Sequence, residues 1–225
     1  TFLSIKKLPW HNARAFLRKG EGIRKMKISV TVITYNQQDT IAQTLDSILC
    51  QQGDFELEVV IGEDCSKDNT LAICQAYAER YPEKVVLLEN TSNLGIMANF
   101  ARVMKACTGD YLGICAGDDY WCDEQKLQKQ LDYFIAHPEC GVCTTGGYRY
   151  LVRRDEMVPG IAPLQPIEDG DVSKHYFSEA YSGGVYAMPL SMVFKRDLLQ
   201  HIDFDVFVER GFPVEDYPMQ AIMAM

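Results

Sequence analysis

A chain of 225 residues with 47% hydrophobic side chains can bury one full core, which excludes an intrinsically disordered protein and fits a single domain. No apolar run nears the roughly eighteen residues of a membrane span, and no charged start followed by an apolar block marks a secretory signal, so the sequence reads as soluble and cytoplasmic. The net charge of −9 argues against nucleic acid as a partner, because phosphate binding needs a positive surface.

That charge is uneven. Residues 1–25 hold seven Lys or Arg against Glu21 alone, net +6, while the remaining fifteen basic and thirty acidic residues carry −15. With Phe2, Leu3, Trp10 and Phe16 among its residues, this basic leader has the composition of a tail, or of a segment that touches the inner face of an anionic membrane. It lacks an initiating Met, and Met26 directly precedes the first strand, so its place in the natural chain is open. Eight cysteines are scattered along the sequence. Their one close pair, Cys140-Gly-Val-Cys143, has no second pair and no nearby His, and reads as buried free thiols rather than as zinc ligands or a redox pair.

Taken in order, residues 27–34 are rich in β-branched side chains and predict a first, central strand, broken by 35–39. Ile41, Leu45, Ile48 and Leu49 then recur at helical spacing, with Asp39 placed as the cap. Residues 55–61 predict a second strand and 62–70 a polar turn. The helix after it is capped by Asp68 and shows Leu71, Cys74, Tyr77 and Ala78 on one face. Residues 85–88 predict a third strand, 90–99 a loop, and the next helix turns Phe100, Val103, Met104 and Cys107 inward. The apolar run 111–116, bounded by glycines, predicts a strand buried on both faces that stops at Asp118 and Asp119. Residues 125–137 form an amphipathic helix with Leu127, Leu131, Phe134 and Ile135 on one face and Pro138 at its end. Residues 142–151 are expected to rejoin the sheet, 157–171 to form a loop rich in Pro, Gly and acids, and 190–195 a last short strand. From Phe212 the pair Glu215-Asp216 opens a helix that stops in mid-pattern at Met225, which points to truncation.

Strands separated by helices of this length pair in parallel through right-handed crossovers, so their carboxyl ends share one edge. Thr34-Tyr35-Asn36, Glu63-Asp64, Asn93-Leu94-Gly95 and Asp118-Asp119 each follow a strand and converge on one cleft. Adjacent carboxylates with no basic neighbour require a counter-charge when confined, and a hard divalent cation would serve. A solvated turn, with Asp119 or Asp123 capping the next helix, is the structural alternative. Turn chemistry alone accounts for Ser66, Asp68 and Asn69.

Five segments, in this order, resemble the motifs of family 2 glycosyltransferases of the GT-A fold: Val32-Ile-Thr-Tyr-Asn36; Val59-Val-Ile-Gly-Glu-Asp-Cys-Ser-Lys-Asp-Asn-Thr70; Asn93-Leu-Gly95 with Asn99; Gly117-Asp-Asp-Tyr-Trp121 with Lys126-Leu-Gln-Lys-Gln130; and Asp216-Tyr-Pro-Met219. The resemblance runs from about Ile28 to the last residue. It implies an α/β, Rossmann-like GT-A fold with a central, mostly parallel sheet flanked by helices. One domain over 26–225 would have a nucleotide-sugar-binding half at 26–124 and an acceptor-side half at 125–225. The implied reaction moves a sugar from a nucleotide-diphosphate sugar to an acceptor hydroxyl, on a glycan, lipid-linked or other acceptor, with inversion, in polysaccharide or glycoconjugate synthesis. Mg²⁺ or Mn²⁺ held by Asp118 would meet the charge on the leaving diphosphate. Thr34, Tyr35, Asn36, Glu63, Asp64, Asn93, Gly95, Asn99 and Asp119 would form the donor side. Asp216 would take the acceptor proton, with helix capping as its structural alternative.

Two departures stand out. Glu63 replaces the first acid of the second motif. Ala116 occupies the position, two residues before the metal-binding Asp, where the family often has an acid; its absence would weaken metal or donor binding, or mark a catalytically silent relative that binds sugar nucleotide or glycan. A nucleotidyltransferase would want a Gly-rich phosphate loop with a basic residue after the first strand, and residues 34–40 have neither.

Overall fold

The computed structural model describes residues 24–151, 154, 156–159, 188–214 and 219. Four strands, β1 (Met26–Thr34), β2 (Phe55–Glu63), β3 (Val85–Glu89) and β4 (Tyr111–Ile114), are joined by the helices α1 (Ile41–Leu49), α2 (Thr70–Arg80) and α3 (Ile96–Ala106). They pair in parallel, β1 meeting β2 from Met26↔Phe55 to Thr34↔Glu63 and β4 from Ile28↔Tyr111 to Thr31↔Ile114. After α4 (Lys126–Ala136), the short strand β5 (Val142–Cys143) lies at the sheet's edge, and β6 (Tyr148–Leu151) pairs with β7 (Glu156–Pro159) as a separate hairpin. The antiparallel strand β8 (Val193–Lys195) bridges β4 and β5, giving the order β3-β2-β1-β4-β8-β5. The helix α5 (Phe204–Glu209) follows.

The sheet is covered on both faces because its strands alternate two sets of buried side chains. Ile28, Val30 and Val32 of β1 pack with Ile41, Leu45 and Ile48 of α1 and with Leu127, Leu131 and Phe134 of α4. On the other face Val60, Leu112 and Ile114 pack with Phe100, Val103 and Met104 of α3, with Phe194 and Phe204, and with Met219. Full burial of each such side chain contributes roughly 1.5–3 kcal/mol, so the two layers hold the strand ends in fixed register.

Toward the amino end of the sheet sits a compact charged cluster. Glu58, 7% exposed, accepts hydrogen bonds from Lys27 Nζ at 2.5 Å, from Ser29 Oγ, and from Thr108 N and Oγ1 at 2.9 and 2.7 Å. Burial opposes its charge, but the Lys27 ammonium and the Ser29 and Thr108 donors outweigh that and hold the carboxyl at about 2. Asp110 nearby takes the Lys27 amide at 2.9 Å and the Arg24 guanidinium at 3.2 Å.

Several boundaries differ from the sequence-based expectation for identifiable reasons. Thr40, not Asp39, caps α1, with no side-chain bond, because Gln37 O already takes the Thr40 and Ile41 amides at 3.1 and 3.0 Å. The cap of α2 is Asn69, not Asp68, although Asp68 braces the helix start by accepting Thr70 N at 2.9 Å and Thr70 Oγ1 at 2.6 Å. β2 runs on to Glu63 because its carbonyl still receives the Asn90 amide at 3.0 Å. α3 begins at Ile96, before Asn99, since Gly95 at φ 83° redirects the chain there. Only Val142–Cys143 of residues 142–151 joins the sheet; the exposed residues 144–146 carry the chain away into the hairpin. Met157 begins no loop but lies in β7, and the rest of the segment 160–171 lies outside the described residues. Pro189–Ser191 is a 3₁₀ turn closed by Met192 N on Pro189 O, so the last strand is only Val193–Lys195. On α4, Ile135 is 44% exposed, and the buried stripe is Lys126, Leu127, Gln130, Leu131 and Phe134. All eight cysteines are free; Cys74, Cys107 and Cys115 are buried, but Cys50 and Cys122 are exposed.

Candidate functional site

The sheet order reverses between β1 and β4, and a crevice opens past the carboxyl ends of those strands. Gly117 lets the two ends approach. Its amide donates to Ile33 O at 3.0 Å, and a Cβ there would lie 2.3 Å from Gln37 Oε1 and 2.7 Å from Thr34 Oγ1. Helix α1 then pins the turn after β4: Thr40 Oγ1 donates to Gly117 O at 2.8 Å, Thr44 Oγ1 to Asp119 O at 2.6 Å, and Ser47 Oγ accepts Trp121 N at 3.1 Å. The turn leaves the Asp118 carboxylate exposed on the cleft wall. Among the described residues nothing hydrogen-bonds to it or pairs with it.

The residues after Trp121 brace this turn from behind. Trp121 Nε1 donates to Leu190 O at 2.9 Å, and Lys126, a residue only 6% exposed, sets its ammonium 4.3 Å from the Trp121 ring centroid and donates to Gln130 Oε1 at 2.7 Å. Burial lowers the Lys126 pKa to about 8. Gln130 Nε2 ties the group to Ser191 O and Cys143 O at 3.0 and 2.9 Å.

The turns after β1 and β2 are knitted together. Asn36, at φ 53°, adopts the left-handed conformation that Asn tolerates; its amide donates to Ser66 Oγ at 2.9 Å and its Oδ1 accepts Lys67 N at 2.7 Å. Glu63 is fully buried, and its carboxylate closes the following turn by accepting Cys65 N at 3.1 Å and Ser66 N at 2.8 Å. Asp64, 3% exposed, reaches the other way. It accepts Leu94 N at 2.7 Å, Gly95 N at 2.9 Å and Asn90 Nδ2 at 2.7 Å, while its carbonyl accepts Asn93 Nδ2 at 3.2 Å. One carboxylate thereby holds the 93–95 loop.

Between these turns lies a cleft of about 470 Å³. Of the residues expected there, Thr34, Tyr35, Asp64, Asn93, Gly95, Asn99 and Asp118 line it. Asn36, Glu63 and Asp119 do not; they shape the turns instead, Asp119 through its backbone, with its amide on Ala116 O at 3.0 Å. Asp216 lies outside the described residues, although Val214 lines the cleft and Met219 is buried in the core. Gln37, Ile96 and Ala116 also line the cleft; their signal was adjacency to the strand-end motifs. A second hollow of about 430 Å³, between the end of α3 and residues 196–204, gathers none of the expected residues.

Among the described residues no group of three or more His, Cys, Asp or Glu is placed to hold a metal ion. One open carboxylate does not make an all-protein cage. It does fit a hard cation whose other ligands are water and the phosphate oxygens of a bound molecule, the usual arrangement for Mg²⁺. No described helix is long and apolar enough to cross a membrane.

The family model of glycosyl transferase family 2 matches residues 29–202. An uncharacterised protein of Mycobacterium tuberculosis is 43% identical over 116 residues, 52% of this chain and 34% of its own length. Abequosyltransferase RfbV of Salmonella typhimurium is 26% identical over 201 residues, 84% of this chain and 59% of RfbV. The chain therefore spans less than two-thirds of either relative. Among solved structures, S. aureus TarS in complex with UDP matches with a TM-score of 0.55 at 22% identity, over 78% of this chain and 48% of TarS. Mannosyltransferase PcManGT from Pyrobaculum calidifontis, in complex with GDP-Man and Mn²⁺, matches with a TM-score of 0.56 at 21% identity, over 84% of this chain and 51% of PcManGT. At these identities the structural likeness is one of fold.

Proposed function

Since the chain belongs to glycosyl transferase family 2, we propose that its cleft takes a nucleotide-diphosphate sugar and that the protein transfers the sugar, with inversion, to an acceptor hydroxyl in polysaccharide or glycoconjugate synthesis. The observation that carries this reading is the open Asp118 carboxylate past β4, in one cleft with Thr34 and Tyr35 past β1. The cleft's volume, about 470 Å³, is within the usual range for small-ligand sites. Tyr35, 38% exposed, offers a ring for the base, and Thr34, Gln37 and Asn93 offer hydrogen bonds to ribose and sugar, whereas Asn99, whose amide already bonds Gly62 O and Asn90, shapes the wall. Asn36, Glu63 and Asp119 serve the donor by fixing the turns around it.

Mg²⁺ or Mn²⁺ bound beside Asp118 would supply positive charge to the leaving diphosphate. The UDP, GDP-Man and Mn²⁺ bound to proteins of the same fold support a nucleotide with a divalent cation. Ala116 lines the wall two residues before Asp118, so Asp118 would hold the cation without an acid at that position. On the opposite face of the anomeric carbon the acceptor hydroxyl must lose its proton to a carboxylate. Asp216 is assigned that role from the sequence; two residues before it, Val214 is at the cleft. Donor contacts then come from the 26–124 half and acceptor contacts from 125–225.

The test is to incubate the full-length protein with UDP-, GDP- and dTDP-sugars and Mn²⁺, following nucleoside diphosphate release and thermal stabilisation. Binding and release with one of them is expected. Absence of both with every donor overturns the reading, and binding without release under all acceptors favours a silent relative.

A further inference from the structure

Behind the donor-side wall runs a polar network whose hub lies off the cleft, while its members Asp64 and Asn99 line it. Asn90, the first residue after β3, is its hub. Its amide donates to Glu63 O at 3.0 Å, and its side-chain Nδ2 donates to Asp64 Oδ1 at 2.7 Å and to Asn99 Oδ1 at 3.2 Å. Its Oδ1 accepts from Arg102 Nη1. Asn99 in turn donates Nδ2 to Gly62 O at 2.8 Å. Gly62 admits this arrangement, since a Cβ there would lie 2.5 Å from Asn99 Oδ1 and 2.4 Å from Val103 Cγ2.

The chemistry of the hub leaves little choice of residue. A guanidinium donates and never accepts, whereas an ionised carboxylate accepts and never donates. An amide placed between them turns its oxygen to Arg102 and its nitrogen to Asp64, so both are satisfied at once. An Asp at position 90 would set a second carboxylate against Asp64 with no proton between them. Neither Asn90 nor Arg102 lines the cleft. Their influence passes through Asp64, whose oxygens take the Leu94 and Gly95 amides and so set the loop carrying Asn93 and Gly95.

We propose that Asn90 and Arg102 are positioning residues for the nucleotide-sugar donor, fixing the 93–95 loop through Asp64. This rests on the reading of the cleft as a nucleotide-sugar site. It goes further in assigning the donor wall's geometry to a half-buried relay rather than to the loop's own sequence.

The test uses the full chain, with Asn90→Asp, Arg102→Gln and Arg102→Lys. Two readouts are taken: hydrogen exchange at the Leu94 and Gly95 amides without ligand, and affinity for UDP and GDP with Mn²⁺ by calorimetry. Asn90→Asp is expected to speed exchange at both amides about tenfold or more and to weaken binding of the preferred nucleotide by a similar factor, the scale of a lost charge-assisted hydrogen bond. Protection of the β1 amides, such as Val30, stays as in the wild type. Arg102→Gln has a smaller effect in the same direction, and Arg102→Lys, which keeps a cationic donor, moves back toward the wild type. If Asn90→Asp does not fold, the half-buried Arg102 position carries both measurements. Wild-type protection of Leu94 and Gly95 in the variants overturns the proposal. So does a freed loop with unchanged affinity, or protection lost evenly across the sheet. A wild-type protein that binds neither nucleotide would instead bring down the reading of the cleft, and the proposal with it.

Discussion

Glu58 and Asp118 lie toward opposite ends of one sheet, and the chain surrounds them differently. Four donors from Lys27, Ser29 and Thr108 converge on Glu58, and burial closes it from water. Asp118 is exposed at the reversal between β1 and β4, with no described partner. The first arrangement spends a carboxylate's hydrogen-bonding capacity on holding strands together; the second keeps that capacity for something that is not protein. Glu63 and Asp64 show that position alone does not decide the matter. Both sit at strand ends near the cleft, yet backbone amides occupy their oxygens. An acid's partners, more than its place in the sheet, tell structure from ligand binding.

The largest effects are expected from exchanging an acid for its amide. For Asp216, the proposed base, which lies outside the described residues, exchange to Asn is expected to lower transfer by about 100-fold or more while donor affinity and melting temperature hold; steady-state turnover beside calorimetry checks it. Glu58→Gln should do the reverse. It should cost about 2–4 kcal/mol of stability at pH 7, by strand-end chemistry remote from the cleft, with nucleotide affinity unchanged. Because the folded carboxyl titrates at about 2 instead of its ordinary 4.5, this stability is complete above about 4.5 and is lost as pH falls toward 2. Denaturant titrations at pH 7, 4 and 2.5 should show the gap between wild type and Glu58→Gln closing.

Lys126 sharpens the comparison from the cation's side. Burial brings its pKa to about 8 from 10.5, so between those values the folded state binds fewer protons than the unfolded one and stability rises with pH. Relative to Lys126→Met, the wild type should gain about 1–3 kcal/mol between pH 7 and pH 10; denaturation at both pH values measures it, and a constant difference would show that the Trp121 ring and Gln130 fully replace water around the charge. The smallest effect is expected from removing residues 1–23. Arg24 and Lys25, which follow them, pair with Asp110 and Asp54 near the strand starts, away from the cleft. Nucleotide affinity, read by calorimetry, should therefore change less than about twofold.

The first four strands and their helices were legible because β-branched runs and helical spacing are local signals. The register of Glu63 was not, since its ladder bond comes from Asn90, across α2 and β3. The hairpin β6–β7 and α5 are too short to carry a period, and tertiary packing decides them. The rule that acids at strand ends meet ligands brought Asp64 and Asp118 to the cleft, but it could not tell that Leu94 and Gly95 already occupy Asp64. Asn90 and Arg102 are lone polar residues with no local pattern, and their roles exist only once distant segments meet.

The most direct measurement is calorimetric titration of UDP and GDP into the wild type and Asp118→Ala, each with and without Mn²⁺. For the preferred nucleotide, the wild type should bind far more tightly with the cation, and Asp118→Ala should lose that gain while keeping the wild-type melting temperature. Equal binding by the two proteins in Mn²⁺, or wild-type binding indifferent to the cation, would contradict the assignment of Asp118 as the open, ligand-facing acid of the sheet.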